Sequence, residues 1–162
     1  MSDYTVFGAV GKIKDVQEFK EKVNSLQESL KATIQLFDAK VIFGVDHLVS
    51  ATNHALRSLS RQEKLAKTFG MEIMLYVAAE RQITGAIDKL GIADTTEEIA
   101  IITIGSINPD GVLAALNLER ADDVLNAEGK DHSIFNLIEK EMNFASASEL
   151  VLERMALSEL NR

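Results

Sequence analysis

The chain contains no cysteine. That excludes disulfides, thiol nucleophiles and thiolate metal sites together, and it suits a reducing cytosol. No apolar run approaches the roughly 20 residues that a membrane span needs. The opening Met1-Ser2-Asp3-Tyr4 lacks the basic and then apolar regions of a signal peptide. A soluble cytoplasmic protein with no membrane partner is the expectation. Proline occurs once, at Pro109, in a short polar interruption that does not divide two domains. Internal repeats, low-complexity stretches and linkers are also missing. Histidine is scarce, with three in the chain. His47 and His54, seven residues apart on a helix, would stand about 10 Å apart along its axis. One metal ion cannot bridge that gap with bonds of about 2 Å. His132 opens a later segment, where local hydrogen bonding is its ordinary role.

The usual catalytic constellations are absent as well. There is no G-x-S-x-G elbow, no H-E-x-x-H and no phosphate-cradling glycine loop. Of nine glycines, only Gly8 and Gly11 approach a G-x-x-G pattern, and Gly8 lies within an apparent strand. The sequence therefore assigns no catalytic residue, no metal site and no cofactor.

What is present is enough apolar material for a core. Of 162 residues, 46% are hydrophobic, which fits one domain over residues 1–162 without metals or disulfides. The net charge of −8 opposes indiscriminate nucleic-acid binding, but it is unevenly spread. From Ala93 to Arg162 there are 14 acidic and 5 basic residues, against 11 acidic and 12 basic before them. A polyanion would thus meet the earlier part.

Tyr4 to Val10 alternates as a strand, and Asp15 with Glu18 opens a helix carrying Val16, Phe19, Val23, Leu26 and Leu30 at spacings of three and four. A second strand is expected at Thr33 to Phe37. A longer helix runs from Gly44 to about Arg61, with Leu48, Thr52, Ala55, Leu56 and Leu59 as its inward stripe. Met71 to Ala78 alternates Met71, Ile73, Leu75 and Val77 on one side, which predicts a third strand. Ile83 to Leu90 follows as a short helix stopped by Gly91. Glu98 to Ile104 is nearly continuous in Ile and Ala, as in a strand covered on both faces. Asn108-Pro109 starts another helix, a further one contains Ile134, Leu137, Ile138 and Met142, and Ser146 with Glu149 caps the last. The pattern predicts an α+β fold: a small mixed sheet of about four strands packed with several helices.

Two surfaces carry information. On the Gly44–Arg61 helix, His47, Ser50, His54, Arg57 and Arg61 recur opposite the apolar stripe, and Lys64 and Lys67 extend the positive run. Arg81 joins them if its neighbouring segment packs alongside. Arginine suits phosphate as a planar fork, lysine as a mobile point charge, and Asn53 and Gln82 supply amides for sugar or base edges. A solvated helix face is the ordinary reading of such a stripe. The last helix, in turn, carries Leu150, Val151, Leu152, Met155, Ala156, Leu157 and Leu160 around most of its circumference. Packing on one side needs a narrower stripe, so this helix is either deeply buried or has a face left over for a partner.

Three stretches, in this order, resemble a known family. The first is Phe37-Asp38-Ala39-Lys40-Val41-Ile42 with His47-Leu48, Ala51 and Ala55. The second is Phe69-Gly70-Met71-Glu72-Ile73, leading into Ala78-Ala79-Glu80-Arg81-Gln82-Ile83 and Ala86-Ile87. The third is Val151-Leu152-Glu153-Arg154-Met155-Ala156-Leu157. Together they are similar to the TPRKB-like subunit, archaeal type, of the KEOPS complex. The resemblance implies a non-catalytic subunit that binds the complex's small atypical kinase and reaches the other KEOPS subunits through it. It also implies a part in recruiting tRNA, including the 3′ CCA end, for threonylcarbamoyladenosine modification at position 37. Under that resemblance Asn53, His54, Arg57, Arg61, Lys64, Lys67, Arg81 and Gln82 become the candidate tRNA face. Val151, Leu152, Met155 and Leu157 become candidate kinase contacts. One departure stands out: family members often show glycine just ahead of the Arg-Gln-Ile stretch, where this chain has Ala78-Ala79-Glu80. The alternatives from other classes are a small ligand-binding or enzymatic domain with a pocket at the sheet edge, and a self-associating structural domain.

Overall fold

The computed structural model describes residues 3–161. In chain order its elements are β1 (Tyr4–Val10), α1 (Val16–Leu30), β2 (Thr33–Asp38), α2 (Val45–Ser60), α3 (Phe69–Ala78), α4 (Ile83–Leu90), β3 (Glu98–Ile104), α5 (Pro109–Leu116), β4 (Glu119–Arg120), α6 (Glu139–Met142) and α7 (Ala147–Leu160). Three short 3-10 turns, Ala39–Val41, Asp122–Leu125 and Ser133–Phe135, complete the list for the described residues. The chain clusters into two units. One is formed by residues up to Lys40 together with Gly91–Leu125, the other by Val41–Leu90 with the residues from Asn126 on.

The first unit holds the sheet, in the order β2-β3-β1-β4. The fold is α+β with four strands, as the pattern required, but every pairing is antiparallel and the sheet is not mixed. Each of β1–α1–β2 and β3–α5–β4 brackets one strand of the other, a split β-α-β arrangement. Register places Phe7 opposite Ile101 and Ala9 opposite Ile99, with Leu36 on the far side of Ile101. These side chains share one face, and α1 and α5 supply Val23, Val112, Leu113 and Leu116 to the same core. Burying a residue of this size removes about 1.5–3 kcal/mol of exposed apolar cost each, so this layer carries much of the unit's stability. Asp15 caps α1 by accepting from the amides of Gln17 and Glu18, and Asn108 caps α5 ahead of Pro109. On the opposite face, Gly8 lies beneath the Asp122–Leu125 turn. A Cβ there would sit 2.5 Å from the Ala121 carbonyl oxygen and 2.6 Å from Val124 Cγ2.

The second unit is helical, and its central element overturns one expectation. Met71–Ala78 is not a strand: it lies within α3. Ile73, Met74, Leu75, Tyr76, Val77 and Ala78 are all buried, and α2, α4 and α7 pack around them. A helix apolar on every side satisfies a period of two as readily as one of 3.6, so alternation could not discriminate. The discriminating signal was Thr68, whose hydroxyl accepts from the Met71 amide as an N-cap. The single helix expected through Ile134 and Met142 is instead a 3-10 turn and α6, separated at Asn136, which is left-handed at φ 54°. Helix α7 begins as expected, with Ser146 and Glu149 in a reciprocal capping box.

The buried stripe of α2 is also rotated from the expected one. His47, Leu48, Ala51, Thr52, His54, Ala55 and Ser58 face inward, while Leu59 is exposed and Leu56 half-buried. The polar members turn inward because the unit offers each a partner. Thr52 donates to the Leu48 carbonyl, His47 reaches the Val77 carbonyl, and Ser58 donates to Glu72.

Candidate nucleic-acid interface and partner face

All twelve residues singled out for RNA or kinase lie in the helical unit. The segment between α2 and α3 is built around Glu72, a fully buried carboxyl group on an otherwise apolar helix. One oxygen accepts from Ser58 Oγ at 3.0 Å, and the other from the amides of Leu65 and Ala66, both at 2.9 Å. Lys64 folds back on the same segment and donates to the carbonyls of Ala66 and Lys67. Its ammonium is thus spent on shaping the loop. Arg61 and Lys67 are exposed on either side of it and form no ion pair among the described residues.

His54 does not belong to an outer surface. It is 7% exposed and stacks on Tyr76, with ring centroids 5.1 Å apart and planes at 21°. Its Nδ1 lies 2.8 Å from Glu159 Oε2 and 2.8 Å from Arg57 Nη2. Arg57 is exposed, yet its Nη2 stands 3.7 Å from that same Glu159 oxygen. Asn53 is exposed one turn earlier on α2.

Arg81 and Gln82 are exposed just beyond the C-terminal end of α3, whereas Lys67 stands just before its start. Ten residues of helix separate these ends by about 15 Å. The cations therefore form two groups at opposite ends of α3, a layout that suits an extended chain of phosphates better than a single one. Between α3 and Arg81, Ala79 is left-handed at φ 53° and caps the helix. Glycine adopts that conformation without steric cost, so alanine here carries a modest strain. Glu80 is paired with Lys89 at 2.7 Å, so its charge is met within the protein.

On α7 the four apolar candidates separate. Val151 and Met155 are buried at 1% and 0% exposure and serve the core, which withdraws them as contact residues. Leu152 is half-buried and Leu157 exposed, and Leu160 is 79% exposed. Nearby, Arg154 donates to both oxygens of Glu141, and this guanidinium holds the Glu141 carboxyl below its ordinary range. Phe144, at 87% exposure, follows α6.

His47, placed on the outer face by its spacing, is a core residue. Its Nδ1 accepts from the Phe43 amide and its Nε2–H donates to the Val77 carbonyl, with Phe135 edge-on at 5.6 Å. Burial pushes its pKa down to about 4, so the ring is neutral at physiological pH. A hollow of about 290 Å³ lies beside β1 and β4, lined by Val10, Gly11, Asn117, Leu118 and Glu119. Glu119 is its one ionisable group, which is not a convergent catalytic set.

Sequence reasoning missed Glu72, Tyr76 and Glu159. A lone acid inside the apolar run from Phe69 to Ala79 was the available signal for Glu72. Nothing local marked Glu159, which meets His54 across 105 positions of chain.

These features define a small α+β protein whose helical unit offers separated surface cations and an exposed apolar end to α7. The family model described as "Kinase binding protein CGI-121" matches residues 10–159. The chain belongs to this family. Among curated proteins it is similar to the "Regulatory protein Cgi121" of Methanocaldococcus jannaschii, with 26% identity over 141 residues, covering 87% of this chain and 93% of that protein. No helix among the described residues is long and apolar enough to cross a membrane.

Proposed function

We propose that the chain is a non-catalytic, cytoplasmic KEOPS subunit, a single functional module over residues 1–162. It binds and supports the complex's small atypical kinase and meets the remaining subunits through it. It also helps recruit tRNA, including the 3′ CCA end, for threonylcarbamoyladenosine modification at position 37. The observation that carries this reading is the match of a kinase-binding family over nearly the whole chain.

The structure supports a particular division of surfaces. Leu157 and Leu160 are the exposed apolar residues of α7, and a partner burying them would gain a core-like contact with a polar rim. Asn53, Arg57, Arg61, Lys67, Arg81 and Gln82 present cations and amides outward, as gripping a single strand requires. Lys64 contributes by shaping the loop, and His54 from within.

Co-purification of the chain with the cognate kinase is the direct test. Leu157→Glu and Leu160→Glu together should abolish the complex and leave the free subunit folded, whereas Met155→Glu should unfold it. A wild-type pair that fails to associate would defeat the kinase assignment. For RNA, Arg61→Glu and Arg81→Glu should each weaken tRNA binding and lower its salt slope by about one unit per lost phosphate contact. Equal affinity for tRNA with and without its 3′ CCA would remove end recognition.

A further inference from the structure

Glu159 is the one carboxylate among the described residues within 4 Å of a cation on the outward face of α2. Its side chain is 23% exposed, and that of Arg57 is 45% exposed, so water screens the pair only in part. We propose that Glu159 is an electrostatic gate on Arg57, and that His54 is the alternate partner that lets Arg57 leave. This rests on the reading of Arg57 as an RNA contact.

The geometry of His54 Nδ1 carries the inference. This one nitrogen lies 2.8 Å from both Arg57 Nη2 and Glu159 Oε2. A protonated Nδ1 donates, and a bare one accepts; it cannot do both. The two contacts are therefore alternatives. With Nδ1 bare, it accepts from Arg57, and Arg57 is the one cation among the described residues that faces Glu159. With Nδ1 protonated, His54 donates to Glu159, whose charge is then met without Arg57. In that second state the guanidinium turns outward toward a phosphate and leaves no carboxylate unpaired. The ring itself does not move, because Tyr76, 1% exposed, stacks against it. Glu159 belongs to the last turn of α7 and Arg57 to α2, so the gate joins two helices that pack together. A phosphate must compete with Glu159 for Arg57, and removing the carboxylate should strengthen RNA binding through that arginine alone.

The test is a titration of a fluorescent single-stranded RNA ending in CCA, at fixed ionic strength, read by anisotropy. Glu159→Gln should tighten binding about two- to five-fold, the size expected of a partly screened ion pair. The gain should vanish when Arg57→Ala is added. His54→Phe keeps the stack on Tyr76 but removes Nδ1, both as the acceptor that holds Arg57 and as the donor that would satisfy Glu159, so Arg57 still faces Glu159 and Glu159→Gln should still tighten binding in this background. A tightening is not what a general loss of folding would give. If Arg57→Ala alone weakens binding but Glu159→Gln does not tighten it, the gate is wrong and the RNA face stands. A gain that persists without Arg57 reflects overall charge, and also overturns the gate. If Arg57→Ala has no effect by itself, the arginine is not a contact, and the gate falls along with that part of the RNA face.

Discussion

Removing the Glu72 carboxyl group should cost more than its single position suggests. Glu72 is 0% exposed and accepts hydrogen bonds from Ser58 Oγ and from the amides of Leu65 and Ala66. Glu72→Ala leaves all three donors without this acceptor. Ser58 and Ala66 are buried, so each orphaned donor costs about 1–3 kcal/mol, while the exposed Leu65 segment can turn to water and loses only about 1 kcal/mol. The expected total is about 3–5 kcal/mol, limited above by the cost of letting the loop melt. Glu72→Gln differs. Its carbonyl oxygen can keep both amides, and its NH₂ can donate to Ser58, whose hydroxyl rotates to accept. The loss should then be about 1 kcal/mol. Urea unfolding of the three proteins measures the difference through the midpoint at constant slope. Amide exchange at Leu65 and Ala66 localises it: both should lose protection in Glu72→Ala and keep most of it in Glu72→Gln. A Glu72→Ala protein within about 1 kcal/mol of wild type, with its amides still protected, would refute the reasoning.

Three further outcomes follow from the same structure. Gly8→Ala places a methyl group 2.5 Å from a backbone oxygen and should cost about 2 kcal/mol or more by overpacking, read as a lowered urea midpoint. Ala79→Gly relieves the left-handed cap of α3 and should raise stability by about 0.5–1 kcal/mol in the same assay; a loss would contradict the cap. His47 titrates near 4 when folded, against 6.5 when unfolded, so the unfolded chain binds more protons between those values. Its contribution to stability is complete above pH 6.5 and is lost as pH falls toward 4. That loss amounts to about 3 kcal/mol. NMR of the His47 ring should show no titration above about pH 5.5, and a midpoint near 6.5 would contradict the buried, neutral assignment.

Residues with local physics were legible from the sequence. Asp15, Asn108-Pro109 and Ser146 with Glu149 mark helix starts because a cap is satisfied within three residues. β1, β2 and β3 were legible because alternation or a β-branched run fits only a short strand there. The two-residue β4 left no pattern to read, since it exists only by pairing with β1. The basic row on α2 was legible as a row, but its facing was not. Helical spacing gives relative angles, and the side that is buried depends on what the neighbouring helices offer.

The absence of cysteine, the α+β class and the presence of surface cations near α2 were therefore decided by the sequence itself, as were most helix starts. Tertiary structure decided what periodicity leaves degenerate. It made Met71–Ala78 a helix, because neighbours cover every side of it and the apolar run meets either period. It turned His47 and His54 inward, because Val77, Tyr76 and Glu159 supply partners that lie far away in the chain. It divided α7 into a core side with Val151 and Met155 and an open end with Leu157 and Leu160. Each decision depended on contacts between segments distant in sequence, which no local pattern encodes.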